Sequence, residues 1–219
     1  MQKHNQIYDL FLRPEKRIIL LIDPDKFDEE KTQRFFSHHG NLMDMIFVGG
    51  SLLSANRTAS VIAVLKKGTQ IPVVLFPGNS IQISDNADAI LFLSLISGRN
   101  AEYLIGQHVQ AAPLIYNSGI EVIPTSYMLI DGGRRTSVEY ISQSMPVPAD
   151  KTDIAVATAL AGKYLGHKLI YLEAGSGALN AVPAAVVHEV CEKTQLPVIA
   201  GGGIRSEESA MALLQARAC

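Results

Sequence analysis

The chain has 219 residues and a formal net charge of −2; 47% of its residues are hydrophobic and 18% are charged. This balance is typical of a folded globular domain. It argues against a disordered chain and, without an excess of positive charge, against a nucleic-acid-binding protein. Two cysteines are too few for a disulfide framework or a zinc cluster, so we expect reduced thiols and a cytoplasmic location.

Short apolar runs alternate with segments of helical pattern along the chain. Several runs are apolar at consecutive positions, which is typical of strands buried on both faces of a parallel sheet. The predicted strands are Arg17–Ile22, Met45–Val48, Pro72–Phe76, Ala89–Leu93, Glu121–Leu129, Lys168–Leu172 and Leu196–Ala200. The predicted helices are Asp28–His38, Ala55–Lys67, Ala101–Tyr116, Thr152–Leu165, Val182–Lys193 and Ser206–Ala216.

This alternation predicts an α/β fold, either a TIM (βα)8 barrel or a doubly wound sheet. Polar or glycine-rich loops follow nearly every predicted strand, which favours the barrel, because a barrel gathers all such loops on one face. The segment between Pro77 and Asp88 is too short for an ordinary barrel helix, so we expect a modified barrel without a regular third helix. We expect a single domain over residues 1–219 that is truncated at its C-terminus, with the last βα unit missing after Cys219.

The run Gly201-Gly202-Gly203-Ile204-Arg205 follows the last predicted strand. Glycines allow the backbone to approach an anion closely, and phosphate sites after the seventh and eighth strands recur in this fold. The run therefore predicts a phosphate cradle, to which the amides of Gly175-Ser176-Gly177 add. The alternative is a tight turn that binds no ligand.

Tyr171-Leu172-Glu173 ends the preceding strand. Side chains alternate along a strand, so Tyr171 and Glu173 are expected on one face near the top of the barrel, with Leu172 towards the helices. A carboxylate in that position can act as a general base towards a hydroxyl. The alternative is a paired acid in the barrel core.

Two polar loops follow the first and second predicted strands. Asp23-Pro24-Asp25 ends the first strand, and carboxylates at such positions commonly hold Mg²⁺. The alternative is a turn, with Asp25 as the cap of the next helix. Gly49-Gly50-Ser51 suits close approach of a diphosphate or its metal. The alternative is that this segment caps a helix. Among the other polar residues at strand ends is Arg99, a cation that could meet a leaving diphosphate or form a surface salt bridge.

Taken together, these motifs resemble the geranylgeranylglyceryl phosphate synthase family and its bacterial heptaprenyl relatives, in the family's second group. The most specific combination is YLEAGSG with a downstream GGGIR, and the missing third helix is also similar to the family. The matching segments, in the family's order, are IDPDK (22–26), VGGS (48–51), FPGN (76–79), SGRN (97–100), YLEAGSG (171–177) and GGGIR (201–205).

The resemblance implies a Mg²⁺-dependent prenyltransferase of phospholipid biosynthesis. The sn-3 hydroxyl of sn-glycerol 1-phosphate attacks C1 of a polyprenyl diphosphate and gives an ether-lipid precursor and diphosphate. Asp23 and Ser51 are then the metal ligands, Tyr171 and Glu173 the catalytic residues, and Arg99 and Asn79 diphosphate contacts. The glycerol 1-phosphate site implied by the family comprises Tyr171, Leu172, Glu173, Ala174, Gly175, Ser176, Gly177, Gly202 and Gly203.

The resemblance also implies partners and leaves alternatives open. We expect a homo-oligomer, a dimer or hexamer, and peripheral contact with a membrane through the greasy substrate. No apolar run reaches the roughly 20 residues that span a bilayer. The alternatives are another phosphate-binding barrel enzyme, such as an isomerase or synthase of a phosphorylated metabolite or a flavin enzyme, and a non-catalytic phosphate-binding barrel.

Overall fold

The computed structural model describes residues 6–219, so the first five residues of the predicted domain lie outside the described part. Strands and helices alternate along most of this length. The strands are β1 (Ile19–Ile22), β2 (Met45–Val48), β3 (Val73–Leu75), β4 (Ala89–Leu95), β5 (Glu121–Leu129), β6 (Leu169–Glu173) and β7 (Val198–Gly201). The helices are α1 (Tyr8–Phe11), α2 (Glu29–His39), α3 (Thr58–Gly68), α4 (Gln107–Ser118), α5 (Ser137–Ser142), α6 (Thr152–Tyr164), α7 (Ala184–Thr194) and α8 (Glu207–Gln215).

The strands form one seven-stranded sheet in chain order. The registered pairs are parallel; Leu21 lies opposite Phe47, for example, and Glu173 opposite Gly201. Parallel neighbours in chain order require a crossover between strands, and helices supply most of these connections. All four residues of β2 are buried, as its continuous apolar sequence predicts, and all five of β6 are buried, including its polar last residue, Glu173.

The link between β3 and β4 carries only a 3₁₀ turn, Ser80–Gln82. The prediction that an ordinary helix is absent there is confirmed. β2 and β5 have the predicted bounds, and Ser206 caps α8 as expected by accepting the N–H of Ser209 at 3.2 Å. Helices α1 and α5 were not predicted, because with four and six residues they are too short for a clear helical period.

The packing divides the chain into two compact units. The first consists of the described residues up to Leu91 together with the separate segment Gln107–Val122. The second consists of Phe92–Gly106 and Ile123–Cys219. In the first unit the core is built on β2 and β3, where Phe47 stacks on Phe76. In the second unit β5, β6 and β7 pack against α6 and α7 around buried aliphatic residues. The single-domain interpretation stays a prediction.

The two cysteines lie at the C-terminal end of the second unit. Cys191 is buried within α7, and its thiol donates to the carbonyl of Arg217 at 3.4 Å. The Cys219 thiol donates to the carbonyl of Val198 at 3.1 Å. Both residues carry thiols, as expected. Within residues 6–219, no helix has the length and apolar character that crossing a bilayer requires.

Candidate active site

In the first unit, the loops that follow β1, β2 and β3 pack against one another. A Cβ added to Gly50 would lie 3.4 Å from Oδ1 of Asp23. A Cβ added to Gly78 would lie 2.2 Å from the Gly50 carbonyl oxygen and 3.1 Å from the Cα of Ser51. Glycine is therefore needed at position 78, and Oδ1 of Asp23, one predicted metal ligand, lies beside Gly50, the residue before the other, Ser51.

Gln82 holds the loop after β2 in place. Its side chain is fully buried. Its amide nitrogen donates to the Gly50 carbonyl at 2.9 Å, and its Oε1 accepts the Gly50 N–H at 3.3 Å. Hydrogen bonds offset the cost of removing a buried amide from water, and here both bonds join Gln82 to the backbone of one residue, Gly50. Sequence reasoning missed this residue, because a lone glutamine 32 positions away carries no local signal.

Asp23 has the turn role that was the alternative to metal binding. It caps the 3₁₀ turn Pro24–Lys26: its Oδ1 accepts the N–H of Asp25 at 3.1 Å, and its Oδ2 pairs with the exposed Lys26 at 3.2 Å. The suggestion that Asp25 caps the next helix was wrong. Asp28 caps α2, and Asp25 instead accepts the N–H of Ser54 at 2.6 Å.

The two predicted diphosphate contacts make hydrogen bonds within their own loops. Asn79 accepts the N–H of Ile81 at 3.1 Å and so begins the 3₁₀ turn after β3. Arg99 donates to the carbonyl of Gly98 at 2.8 Å and, more weakly, to that of Ile96 at 3.3 Å. These bonds shape the loops, and a role in binding diphosphate stays a prediction for both residues.

In the second unit, Tyr171 and Glu173 lie on the same face of β6, both buried, as alternation predicts. Burial raises the pKa of Glu173 to about 7, against the lowering effect of hydrogen bonds from the Gly175 N–H and the Tyr171 hydroxyl. The Gly175 bond measures 2.6 Å. Burial, with the charge of Glu173, raises the pKa of Tyr171 well above its usual value, so Tyr171 keeps its proton and its hydroxyl donates a hydrogen bond to the carboxylate. Glu173 is thus a desolvated carboxylate that titrates near neutral pH.

The loop after β7 lies directly against this carboxylate. Gly202 has φ +80°, and a Cβ on it would lie 2.5 Å from Oε1 of Glu173 and 2.6 Å from the nitrogen of Gly175. A Cβ on Gly201 would meet the Tyr171 hydroxyl at 2.5 Å. Only glycine at these two positions allows the loop to approach the side chains of β6 so closely. The structure thus brings Tyr171, Glu173, Gly175 and Gly202 into one cluster.

The other predicted substrate-binding residues of β6 and its loop differ in burial and in the hydrogen bonds that their N–H groups already make. Leu172 is fully buried in the core, so its side chain is not available to a ligand. The N–H of Ala174 donates to Gly201 at 2.9 Å, and that of Gly175 is engaged by Glu173. Ser176 and Gly177 are exposed. The assignment of the glycerol phosphate site to this segment stays a prediction.

Arg205, the last residue of the GGGIR run, joins the two glycine loops. Its guanidinium donates to the carbonyl of Ala178 at 2.8 Å and to that of Gly177 at 3.4 Å. A Cβ on Gly203 would lie 2.3 Å from the Asn180 carbonyl oxygen, so the loops also pack tightly beside this bond. The sequence alone indicates no role for Arg205, because its partners lie 27 and 28 positions away.

A comparison with protein-family models decides the relationship: the PcrB family model matches residues 12–219. The chain belongs to the PcrB family. The geranylgeranylglyceryl phosphate synthase of Spirosoma linguale is 48% identical over 211 residues, which cover 96% of this chain and 85% of that protein. The resemblance expected from the motifs is confirmed.

Solved structures of other proteins have the same fold as this PcrB-family chain. The crystal structure of (S)-3-O-geranylgeranylglyceryl phosphate synthase from Thermoplasma acidophilum, in complex with its substrate sn-glycerol-1-phosphate, matches with a TM-score of 0.90. It is 36% identical, and the match covers 100% of this chain and 88% of that chain. Orotidine 5'-monophosphate decarboxylase from Methanocaldococcus jannaschii, at 15% identity and a TM-score of 0.56, shares the fold alone. The predicted TIM-barrel class is confirmed.

The raised pKa of Glu173 makes the stability of the PcrB-family chain depend on pH. The folded state holds this proton up to a pH of about 7, whereas an unfolded glutamate releases it near 4.5, so stability falls as the pH rises between these values. We expect Glu173→Gln to remove roughly 2–3 kcal/mol of this loss. Urea unfolding at pH 5 and pH 8 measures it. If the free energy of unfolding differs between wild type and variant by the same amount at both pH values, the expectation is contradicted.

Proposed function

We propose that this chain joins a polyprenyl diphosphate to the sn-3 hydroxyl of sn-glycerol 1-phosphate. A bond forms between the hydroxyl oxygen and C1 of the prenyl chain, the bond from C1 to the diphosphate oxygen breaks, and diphosphate leaves. The chain is a prenyltransferase of ether-lipid biosynthesis. Its relatives named geranylgeranylglyceryl phosphate synthase support this activity, as does the relative that binds sn-glycerol-1-phosphate.

Glu173 is the base in this proposal, and its position carries the argument. An alcohol is a poor nucleophile, so a base that takes its proton lowers the barrier. A base works best when its pKa is near the operating pH, and burial holds the pKa of Glu173 at about 7. Tyr171 orients the carboxylate through its hydroxyl. The glycines of the two loops, with Gly202 against the carboxylate, bring backbone amides towards the phosphate.

A magnesium ion fits the residues at the ends of β1 and β2. Mg²⁺ is usually bound by one or two carboxylates together with substrate phosphates, so the site needs no cluster of three acidic or histidine side chains, and residues 6–219 form none. Nearby, Oδ1 of Asp25 is buried and has no hydrogen-bond partner in the described part of the chain. We propose Asp23 and Ser51 as the protein ligands. When bound, such an ion would neutralise charge on the leaving diphosphate.

We expect Asp23→Asn to raise the Mg²⁺ concentration needed for half-maximal activity by tenfold or more, because a neutral amide is a weaker ligand for a hard cation. Titration of activity with Mg²⁺ measures the shift. Asp28→Asn is the matched control: it removes the same charge five residues away, and asparagine caps a helix as well as aspartate does. Equal Mg²⁺ requirements for the two variants contradict the assignment of Asp23.

The reaction itself is tested with the purified chain, labelled sn-glycerol 1-phosphate, Mg²⁺ and prenyl diphosphates of several lengths. We expect an ether product that requires Mg²⁺, with the best substrate defining the chain length. sn-Glycerol 3-phosphate, the mirror-image substrate, is the matched control and should react poorly. Failure to form product with any prenyl diphosphate, or product formation without metal, contradicts the proposal.

The resemblance to the family also supports proposals about assembly and location. We propose a homo-oligomer, a dimer or hexamer, and α4 offers an apolar surface for it: Val109 is 65% and Tyr116 81% exposed, seven residues apart on one helix face. The molar mass from light scattering tests this. We propose a cytoplasmic location, in keeping with the thiols, and peripheral membrane contact through which the polyprenyl substrate is reached.

A further inference from the structure

The segment Asp131–Thr136, which follows β5, is attached to the loop that follows β6. The Gly132 carbonyl accepts the N–H of Leu179 at 2.9 Å and that of Asn180 at 3.0 Å. A Cβ on Gly132 would lie 2.6 Å from the Cβ of Ala178, so the two backbones approach as closely as glycine allows. The segment is therefore positioned by the same loop that carries the predicted phosphate-binding glycines.

The Thr136 side chain lies against Gly175. A Cβ on Gly175 would lie 2.4 Å from Cγ2 of Thr136 and 2.7 Å from its Oγ1. Gly175 also contacts the other glycine loop, because a Cβ on Gly202 would lie 2.6 Å from its nitrogen. The hydroxyl of Thr136 thus sits beside Gly175, which Gly202 also contacts.

This hydroxyl does not perform the task that its position in the chain suggests. Thr136 occupies the N-cap position of α5, where threonine usually accepts a backbone N–H, yet its side chain makes no capping hydrogen bond. A hydroxyl can donate one hydrogen bond and accept others, and hydroxyl groups are regular donors to phosphate oxygens. The methyl group of Thr136 has a structural function, because it packs against Gly175. That packing does not require a hydroxyl at this position.

We propose that Thr136 is a substrate-binding residue whose hydroxyl donates to a phosphate oxygen of sn-glycerol 1-phosphate. Asp131–Thr136 then forms a third wall of the phosphate site, next to the loops that follow β6 and β7. The segment also carries Arg134 and Arg135, the second of which pairs with Glu139 at 3.4 Å, and positive charge favours a dianionic phosphate nearby. This inference rests on the proposed function and adds a residue that neither motif of the glycerol phosphate site contains.

The test separates the hydroxyl from the packing of the side chain. Thr136→Val keeps the branched shape against Gly175 and loses only the hydroxyl, whereas Thr136→Ser keeps the hydroxyl and loses the methyl. For Thr136→Val we expect the Kd and the KM for sn-glycerol 1-phosphate to rise about tenfold, with a much smaller change in kcat. Thr136→Ser should recover most of the affinity. Ser137→Ala removes an exposed neighbouring hydroxyl and should leave both constants unchanged.

Calorimetric binding of sn-glycerol 1-phosphate and steady-state rates give the two readouts. Wild-type affinity in Thr136→Val overturns the inference while leaving the proposed function intact. An equal loss in Thr136→Val and Thr136→Ser, with a lowered melting temperature in both, also overturns it, because packing alone then explains the effect. If the wild-type chain itself neither binds nor converts sn-glycerol 1-phosphate, the proposed function fails and this inference fails with it.

Discussion

Glu173→Gln should lower kcat by about a thousandfold while changing the Kd for sn-glycerol 1-phosphate by only a few-fold, since general-base catalysis typically contributes 10²–10⁴. Glutamine has the shape of glutamate, and its carbonyl oxygen can still accept the Gly175 N–H, which lies 2.6 Å from the carboxylate. The site is therefore expected to stay assembled while losing the group that takes the hydroxyl proton. Single-turnover rates and calorimetry on the same preparation measure the two quantities.

Glu192→Gln is the matched control for this variant. Glu192 lies on the surface of α7 and pairs with Arg217, so the same chemical change removes a charge without touching the cluster around Glu173. Exposed ion pairs of this kind contribute about 1 kcal/mol or less to stability. Its kinetics should match those of the wild type. A Glu173→Gln enzyme that keeps kcat within tenfold of the wild-type value contradicts the role of Glu173 as base.

Gly202→Ala should reduce kcat/KM for sn-glycerol 1-phosphate by about a hundredfold or more. Gly202 has φ +80°, and the added Cβ would meet Oε1 of Glu173 at 2.5 Å and the Gly175 carbonyl oxygen at 2.8 Å. None of these groups can move without shifting either the base or the cradle. A misplacement of about 1 Å in a catalytic arrangement can cost a factor of 10² in rate. Steady-state kinetics with saturating prenyl diphosphate measure the loss.

Gly166→Ala separates backbone strain from this local displacement. Gly166 has φ +93°, so alanine is strained there too, but nothing lies within 4 Å of the added Cβ. We expect it to lower the melting temperature by an amount equivalent to about 1 kcal/mol and to leave the kinetics unchanged. If Gly202→Ala and Gly166→Ala lose stability and activity alike, Gly202 has no specific function in the site.

Much of the fold could be predicted from the sequence, because the determining signals are local. β2 and β5 have the same bounds in the structure as in the prediction. In β2, where all four residues are buried, the strand shows up as continuous apolar sequence. The missing helix between β3 and β4 followed from the length of the connection. The position of Tyr171 and Glu173 on one face of β6 followed from the alternation of side chains along a strand.

The parts of the site that could not be predicted depend on contacts between distant loops. Gln82 bonds the backbone of a residue 32 positions away, and Arg205 bonds carbonyls 27 and 28 positions away. Thr136 contacts Gly175 across two different strand–helix connections. None of these contacts leaves a periodic or compositional trace. Asp25 was mistaken for a helix cap for a related reason: Asp28, three residues later, fits the cap equally well by composition, and only the structure shows which carboxylate accepts the helix N–H.

The dependence of kcat/KM on pH in wild type and Glu173→Gln is the measurement that decides whether this carboxylate drives prenyl transfer. The ratio of the two values cancels ionisation of the substrate phosphate, whose pKa lies at about 6. Because burial holds the pKa of Glu173 at about 7, we expect the ratio to be constant above that pH and to fall roughly tenfold per pH unit below it. A ratio that stays constant from pH 5.5 to 9, from about 1.5 units below the expected pKa to about 2 units above it, would show that Glu173 is not the base.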